Sequence, residues 1–488
     1  MTASRTKQPR RLTALCLAAL LVIGGCAVGP DYQEPAIEMP DAWHQELVRG
    51  LSAGDAGLDT WWTVLGDPVL VGLIDRAGQG SLELRQAFER IAEAMARRGI
   101  AVGEWFPSVD SATLYERSQL SEEVLGPLGG TPRDLYSTGL GTTWEVDLFG
   151  RIRRSVESAS ASFEASIEDY RDVLVVLLAD VGFNYVDAIA SQYRVELAKE
   201  NAEMQRESLQ LTEDRFDAGL TSALDVAQAE SNLANTEAGI PRLESRLNAA
   251  LNRVAVLLGE NPGSFHDLLH GSTRIPRPPV EIVVGIPADV VRQRPDIRRA
   301  ERELAANTAL IGAAMADLYP RFSLTGFFGL DSGDIGDLLE GDSVAWSVGL
   351  PFVGNLFDGG GRRGRVEVER ARTDQLLSYY KLTVLIALEE VENALVNLAK
   401  ERTRRDRLVR AVKASERSVG LVQTQYRTGL TDFQNVLDSE RSLTDQQDKL
   451  AESQGLVISN LIELYRALGG GWQPDPENLE TFTTAVFE

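Results

Sequence analysis

The sequence contains an internal repeat that spans most of its length, and this duplication constrains its fold more than any other feature. Residues 215–226 (RFDAGLTSALDV) match residues 425–436 (QYRTGLTDFQNV) at an offset of 210 residues (425 − 215). Upstream, residues 99–107 (GIAVGEWFP) match residues 312–320 (GAAMADLYP) at an offset of 213 residues (312 − 99). Matching segments that recur in the same order, at nearly the same offset, indicate a tandem duplication. Each half is therefore expected to form the same helices and strands.

Each half contains a long helical segment followed by a return helix. No proline interrupts residues 153–214, where apolar residues recur at helical spacing, which predicts a helix of roughly 90 Å at 1.5 Å per residue. Between residues 226 and 257 the apolar positions step by three and four, which is the seam of a coiled coil. The second half repeats this spacing between residues 384 and 426. We predict two long helical hairpins, for which a purely structural coiled coil is the alternative.

Four segments between the helical runs alternate with period two. They are residues 108–116, 136–148, 321–331 and 343–352, of which the first alternates least clearly. In the third, Leu324 and Phe328 stand on one face and Ser323 on the other. This pattern and these lengths fit membrane strands around a wet lumen, although a soluble sheet on a core alternates in the same way. Trp144 and Trp346, toward strand ends, favour the membrane interpretation.

The N-terminus has the order of a bacterial secretory signal. Four basic residues precede an apolar run at residues 12–23, which is too short to span a bilayer permanently. The run ends in Ile-Gly-Gly-Cys, which resembles a lipobox, so Cys26 is expected to carry lipid; an ordinary secretory signal is the alternative. Cys16 leaves with the signal, so the mature chain would hold no free thiol.

Charge and motifs argue against several classes of function. The formal net charge is −23, so the overall field does not attract nucleic acid. No uninterrupted run of 18 apolar residues follows residue 26, so we expect strands to do any spanning. His266 and His270 stand four residues apart without a third ligand, and the glycines at 359–361 lack the lysine of a phosphate loop. We predict no enzyme, no metal site and no cofactor beyond the lipid on Cys26.

Five motifs resemble the outer-membrane efflux lipoproteins related to TolC, in particular the NodT and OprM branch. They are CAVGPDY at 26–32, WEVDLFGRIRR at 144–154, RPDIRRAER at 294–302, YPRFSLTG at 319–326 and LFDGGGRR at 356–363. The resemblance covers essentially the whole mature chain. It implies a mainly α fold with a β-barrel, in which three chains contribute 12 strands (3 × 4) to one barrel above a long periplasmic α-barrel.

The same resemblance implies an outer-membrane, lipid-anchored homotrimer. Such channels export small molecules with a periplasmic adaptor and an inner-membrane pump of the RND type. Four strands cannot close alone, and unpaired edge groups in lipid cost several kcal/mol each, so closure with other copies is also expected on physical grounds. Two alternatives stay open: export of a protein or peptide with an ABC transporter, and a lipid-anchored periplasmic structural coiled coil.

The hairpin turns are the implied functional sites. The adaptor-docking tips would comprise Gly219, Leu220, Thr221, Gly429, Leu430 and Thr431. Asp225, Tyr426 and Asp438 match positions that hold the pore closed in this family, with a hydrogen bond from the Tyr426 phenol to the Asp225 carboxylate. A ring of three Asp438 carboxylates would attract cations, although a solvated helix face is the plainer interpretation. Asn435 departs from the family, which can carry a second acidic ring there.

Domain boundaries follow from the duplication. We predict a signal peptide at 1–25, a lipid-anchored N-terminal segment at 26–66, a first repeat at 67–270, a second repeat at 271–476 and a C-terminal tail at 477–488.

Overall fold

The computed structural model of the protein describes residues 27–45, 51–53, 58–126, 129–266, 268, 275–276 and 282–472. The predictions for the signal peptide, Cys26, His270 and the C-terminal tail fall outside these residues and stay predictions.

The duplication is visible in the helix bounds. In chain order the helices are α1 (Pro68–Gly80), α2 (Leu82–Gly103), α3 (Glu122–Leu125), α4 (Arg151–Asp217), α5 (Ala223–Leu257), α6 (Pro287–Gln293), α7 (Pro295–Ala316), α8 (Gly361–Arg427) and α9 (Phe433–Ala467). The long helices α4 and α8 contain 67 residues each, and the return helices α5 and α9 contain 35 each. Each second copy starts 210 residues after the first (361 − 151 and 433 − 223). At 1.5 Å per residue, α4 and α8 are each about 100 Å long.

One strand precedes α1, and the others lie between these helices. They are β1 (Leu51–Ala53), β2 (Ser108–Ser118), β3 (Arg133–Val146), β4 (Ile282–Val284), β5 (Arg321–Ser332), β6 (Val344–Gly349) and β7 (Phe352–Val353). The chain forms two compact units, and α2, α4, α7 and α8 each contribute to both. The first unit comprises residues within 1–36, 91–166 and 300–380, and the second takes the remainder.

The first unit holds an antiparallel sheet with one apolar face. Its strand order is β2-β3-β5-β6, with β7 also paired to β5. Leu140 lies opposite Phe328, which in turn lies opposite Trp346, so these side chains share a face. That face is open, since Phe328 is 64% and Trp346 is 72% exposed. Contiguous exposed apolar side chains mark a surface made for lipid or for a partner.

The last predicted strand is not continuous. The alternation predicts one strand over residues 343–352, whereas the structure breaks it between β6 and β7 at Leu350 and Pro351. Proline has no N–H to donate to a ladder, which accounts for the break. The Pro351 carbonyl still accepts a hydrogen bond from the Ser323 N–H at 3.2 Å, so the chain stays beside β5.

The N-terminal motif binds the start of α4 within the first unit. The Arg154 guanidinium donates to the Asp31 carboxylate at 2.7 Å and is only 5% exposed in its side chain. Gly29 has a φ of +98°, and a Cβ there would lie 2.4 Å from the Gly312 Cα. Glycine is therefore required at this close approach, and two of the five motifs serve one contact.

Buried aromatic side chains form part of the core of the second unit. Trp61 is 1% exposed and stacks on Tyr465 with ring centroids 5.7 Å apart. The buried Tyr185 hydroxyl donates to the Asp67 carboxylate at 2.8 Å. The helix α4 also contains an 18-residue window of mean hydropathy 1.8, apolar enough to cross a membrane, whereas the sequence predicted no such helix. Of that window, 61% is buried inside the protein, as packing in a helical core requires.

A third motif, RPDIRRAER, holds the end of α9. The Arg294 guanidinium donates to the Asp296 carboxylate at 2.7 Å, to the Glu390 carboxylate at 2.6 Å and to the Ala467 carbonyl at 2.9 Å. A cation at a helix C-terminus is favourable because the last carbonyls carry partial negative charge. This motif therefore has a structural role within the second unit.

Candidate functional site

Both hairpin turns are built on the same glycine-centred backbone. Gly219 has a φ of +70° and Gly429 a φ of +76°, values that favour glycine. In the first turn the Leu220 N–H donates to the Arg215 carbonyl, and the Gly219 N–H donates to the Phe216 carbonyl, both at 2.8 Å. The second turn makes the two equivalent bonds at 2.8 and 3.0 Å. This is the Schellman motif, which satisfies carbonyls that a helix end leaves open.

A capping box starts the return helix of the first hairpin. The Ser222 hydroxyl accepts from the Asp225 N–H at 3.3 Å, and the Asp225 carboxylate accepts from the Ser222 N–H at 3.1 Å. The Thr221 hydroxyl also donates to this carboxylate. The Thr221 hydrogen bond, followed by those from Ser222, lowers the pKa of Asp225 despite partial desolvation. The Asp225 carboxylate is thus held by its own turn.

The second hairpin uses a different cap for the same purpose. The Asp432 side chain accepts from the Asn435 N–H at 3.2 Å. The Asn435 amide donates to the Thr431 hydroxyl at 2.9 Å and to the Asp432 carboxylate at 2.8 Å. Asn435 occupies the position that corresponds to Asp225 (225 + 210). The second turn is therefore capped even though Asn435 is not an acid. Its acidic residue, Asp432, is the N-cap residue instead.

One leucine projects from each predicted docking tip. Leu220 is 65% exposed and Leu430 is 79% exposed. Both follow the turn glycine directly, so the two hairpins present the same apolar residue at the same place. Exposed leucines at a fixed turn position form a surface that a partner could cover, and the docking role stays a prediction.

Tyr426 belongs to a small apolar core at the base of the second turn. It is 3% exposed, and its ring centroid lies 5.7 Å from that of Phe433. Ala229, Val436 and Leu437 complete the cluster. This core, the tip core, joins α5, α8 and α9.

The predicted hydrogen bond between Tyr426 and Asp225 is not formed. The Tyr426 hydroxyl is buried and has no hydrogen-bond partner among the described residues. Asp225 instead accepts from Thr221 and Ser222 in its own cap. The bond is therefore absent within one chain, while a contact between chains and the roles of Asp225, Tyr426 and Asp438 in closing a pore stay predictions.

Arg215 makes the contact that joins the two turns. Its guanidinium donates to the Tyr426 carbonyl at 2.8 Å and lies 4.6 Å from the centroid of the Tyr426 ring. Cations over aromatic faces are attracted by the ring quadrupole. The sequence pattern does not single out Arg215, although this residue lies inside the repeated segment, where the second copy has Gln425.

A buried carboxylate lies beside the tip core. Glu440 is 1% exposed and accepts hydrogen bonds from the Ser208 hydroxyl and, at 3.2 Å, from the Gln423 amide. Burial raises the pKa of Glu440 because it penalises the charged form, and these two hydrogen bonds oppose the rise in part. Glu230 occupies the equivalent position in the first copy (230 + 210) and is exposed, so only one copy of this acid is buried.

Asp438 lies on a polar groove of about 650 Å³ between α8 and α9. It is exposed, and its carboxylate accepts from the Gln434 amide at 3.0 Å. Asn435, Ser439 and Ser442 line the same groove. An exposed carboxylate can contribute to a ring only with other copies, so the ring stays a prediction.

Comparisons with known proteins agree with this architecture. The family model for outer membrane efflux protein matches residues 73–260 and 286–470, one segment in each half. Nodulation protein T of Rhizobium leguminosarum bv. trifolii is 33% identical over 461 residues, which cover 93% of this chain and 96% of that protein. The toluene efflux pump outer membrane protein TtgI of Pseudomonas putida is 32% identical over 470 residues, which cover 95% of this chain and 99% of that protein.

A solved structure shows the same fold. The outer-membrane channel OprN superposes with a TM-score of 0.86 at 36% identity, covering 92% of this chain and all of that one. Duplicated helical hairpins joined to a sheet with an open apolar face thus define an outer-membrane channel protomer. The chain belongs to the outer membrane efflux protein family. The predicted family, fold class, efflux function and outer-membrane location are confirmed, and the relatives named are transport proteins rather than enzymes.

Proposed function

We propose that three copies of this chain form one exit duct for small organic molecules across the outer membrane. The sheet is the observation that carries the proposal, because it combines an exposed apolar face with open edges at β2 and β6. In lipid, every unpaired edge group costs several kcal/mol, so the edges must pair with other chains. With β6 and β7 counted as one interrupted strand, three copies supply 12 strands (3 × 4).

The proposed partners follow from where the lipid anchor and the helical hairpins would place the protein. Lipid on Cys26 anchors the protein in the outer membrane, and the helical hairpins extend into the periplasm. A periplasmic adaptor docks on the tips around Leu220 and Leu430, which are exposed and equivalent. An inner-membrane pump delivers the cargo.

Relatives indicate the class of cargo. One is described as a toluene efflux pump outer membrane protein, and another, 29% identical and also from Pseudomonas putida, as an antibiotic efflux pump outer membrane protein. Both descriptions favour small organic molecules over export of a protein or peptide. The exposed apolar face of the sheet argues against a purely structural coiled coil.

Adjacent residues of β6 test the membrane duct. Val348 is 71% exposed on the apolar face, and Ser347 points to the opposite face. Arginine toward lipid near the midplane costs about 2–4 kcal/mol, so Val348→Arg should reduce trimer yield strongly and Ser347→Arg should not. The measurement is the trimer fraction in extracted membranes by semi-native electrophoresis. Equal yields for the two variants would refute the assignment of faces.

The lipid anchor is tested separately. Cys26→Ser should abolish lipidation, and mass spectrometry of the mature wild-type N-terminus should show an acylated Cys26. An unmodified terminus at any other residue would contradict the anchor and leave the duct untouched.

A further inference from the structure

A groove of about 420 Å³ lies within the second unit between α4, α5 and α9. Its polar lining includes Asn201 and Gln205 from α4, Asn232 and Arg242 from α5, and Arg441 and Thr444 from α9. It is distinct from the docking tips, from the tip core and from the groove that holds Asp438.

Two arginines of the groove have no carboxylate partner among the described residues. Two acids also line it, Asp445 and Asp448, and Asp445 is paired with Lys449, outside the lining, at 2.6 Å. Arg194 is paired with Asp448 through two hydrogen bonds of 2.7 and 2.9 Å, so this pair adds no net charge. The Arg441 guanidinium donates to the Asn232 amide oxygen at 3.0 Å and has no carboxylate partner among the described residues. Arg242 at the rim has none either within that part of the chain. In a chain of net charge −23, a cavity with two such guanidiniums is suited to an anion.

Two polar atoms in the groove lack partners. Gln205 is 2% exposed, and its amide oxygen makes no hydrogen bond within the described structure. The Thr444 hydroxyl is buried and equally unpaired there. Buried polar atoms are nearly always hydrogen-bonded, so an unpaired acceptor on a cavity wall marks a place for a ligand's donor.

The lining also has an apolar part, beside further polar residues at Asn235 and Thr236. Leu197, Ala198 and Leu243 contribute to the apolar part. Gly239 lies on the same wall, and a Cβ built on it would meet nothing within 4 Å. The space beside Gly239 is therefore open, and the volume of the groove falls in the range of small-molecule sites.

We infer that this groove is a binding site for small organic anions that combine a carboxylate, an apolar ring system and a hydroxyl donor. Arg441 binds the carboxylate, the amide oxygen of Gln205 accepts from the hydroxyl, and Leu197 and Leu243 contact the rings. Because the ligand contacts helices of both hairpins, binding also stabilises the folded protein. The site goes beyond the proposed function, since it requires no export of the ligand.

Isothermal titration of the full-length protein in lipid nanodiscs tests the site. The probe is a hydroxybiphenyl carboxylate with the hydroxyl and the carboxylate at opposite ends, and empty nanodiscs provide the blank. We expect saturable binding of one probe per chain. The neutral carboxamide of the same probe should bind about tenfold or more weakly, and the probe without its hydroxyl roughly fivefold more weakly.

Two variants test whether the probe binds in the groove. Arg441→Gln keeps an amide donor for Asn232 but removes the charge, and should weaken binding about tenfold or more. Gly239→Leu should block the cavity with its side chain. Arg253→Gln, an arginine of α5 outside the groove, and Gly239→Ala are the matched controls and should bind as the wild type does.

Two outcomes would overturn the inference. One is the absence of saturable binding to the wild-type protein. The other is binding that Arg441→Gln and Gly239→Leu leave unchanged while circular dichroism shows both variants folded. Neither outcome bears on the proposed duct, which conductance and trimer yield measure separately.

Discussion

The two hairpins share one turn but differ in what lies beneath it. Position 216 of the first hairpin corresponds to position 426 of the second, and both carry an aromatic residue (216 + 210). Phe216 is 44% exposed, whereas Tyr426 is 3% exposed beneath Phe433. Ala223 stands where the second copy has Phe433, so the first turn has no comparable side chain to cover its aromatic ring.

The carboxylates differ in the same way. Glu230 is exposed, whereas its counterpart Glu440 is 1% exposed. The two copies thus share the backbone of the turn and a capped return helix, while only the second copy has a covered aromatic ring and a buried acid. We conclude that capping bonds hold the first turn, and that capping bonds and the packing of Tyr426 on Phe433 hold the second.

Truncating the equivalent aromatic residues should give the largest contrast. Tyr426→Ala removes a buried ring and should lower the free energy of unfolding by about 3 kcal/mol, as large aromatic truncations do. Phe216→Ala removes a half-exposed ring and should cost less than about 1 kcal/mol. Denaturant unfolding of both variants measures the contrast. Equal losses would mean that the tip core does not distinguish the hairpins.

Glu440 should make stability depend on pH. Its pKa is raised in the folded protein, so folding retains a proton that the unfolded chain releases from about pH 4.5 upward. The stability contribution is fully present below the unfolded pKa and is lost as pH rises through the higher folded pKa. Glu440→Gln should remove this loss, and Glu230→Gln should not. Thermal midpoints between pH 4 and pH 8 measure it, and parallel curves for wild type and Glu440→Gln would contradict it.

Removing either cap should give a smaller and nearly equal loss. Ser222→Ala and Asp432→Ala each delete a side chain that accepts a helix N-terminal N–H, which should cost about 1 kcal/mol. Chemical denaturation followed by circular dichroism gives both values. A loss confined to one hairpin would show that the two turns are not equivalent in their caps.

Removing only the Tyr426 hydroxyl should have the smallest effect. Since this hydroxyl is buried without a partner among the described residues, Tyr426→Phe should leave stability unchanged or raise it slightly. A loss of about 1 kcal/mol or more would show that the phenol has a partner in the assembled protein.

Periodicity and repetition were sufficient to predict most of the fold. The 3.6-residue and two-residue periods located the long helices and the strands, and the repeated glycines located both turns, because these features depend on nearby residues. The partners of Asp225 and Tyr426 could not be predicted in this way. They depend on which donors surround the Asp225 carboxylate in the folded turn. They also depend on whether a bulky residue such as Phe433 packs on the aromatic ring.

Single-channel recording in planar bilayers tests the central claim most directly. The protein should insert as a trimer and conduct ions, with rare openings because the tip core holds the hairpins together. Tyr426→Ala should raise the open fraction strongly, and Phe216→Ala should leave it near that of the wild type. Absence of conductance in correctly folded trimers, or equal open fractions in the two variants, would contradict the account.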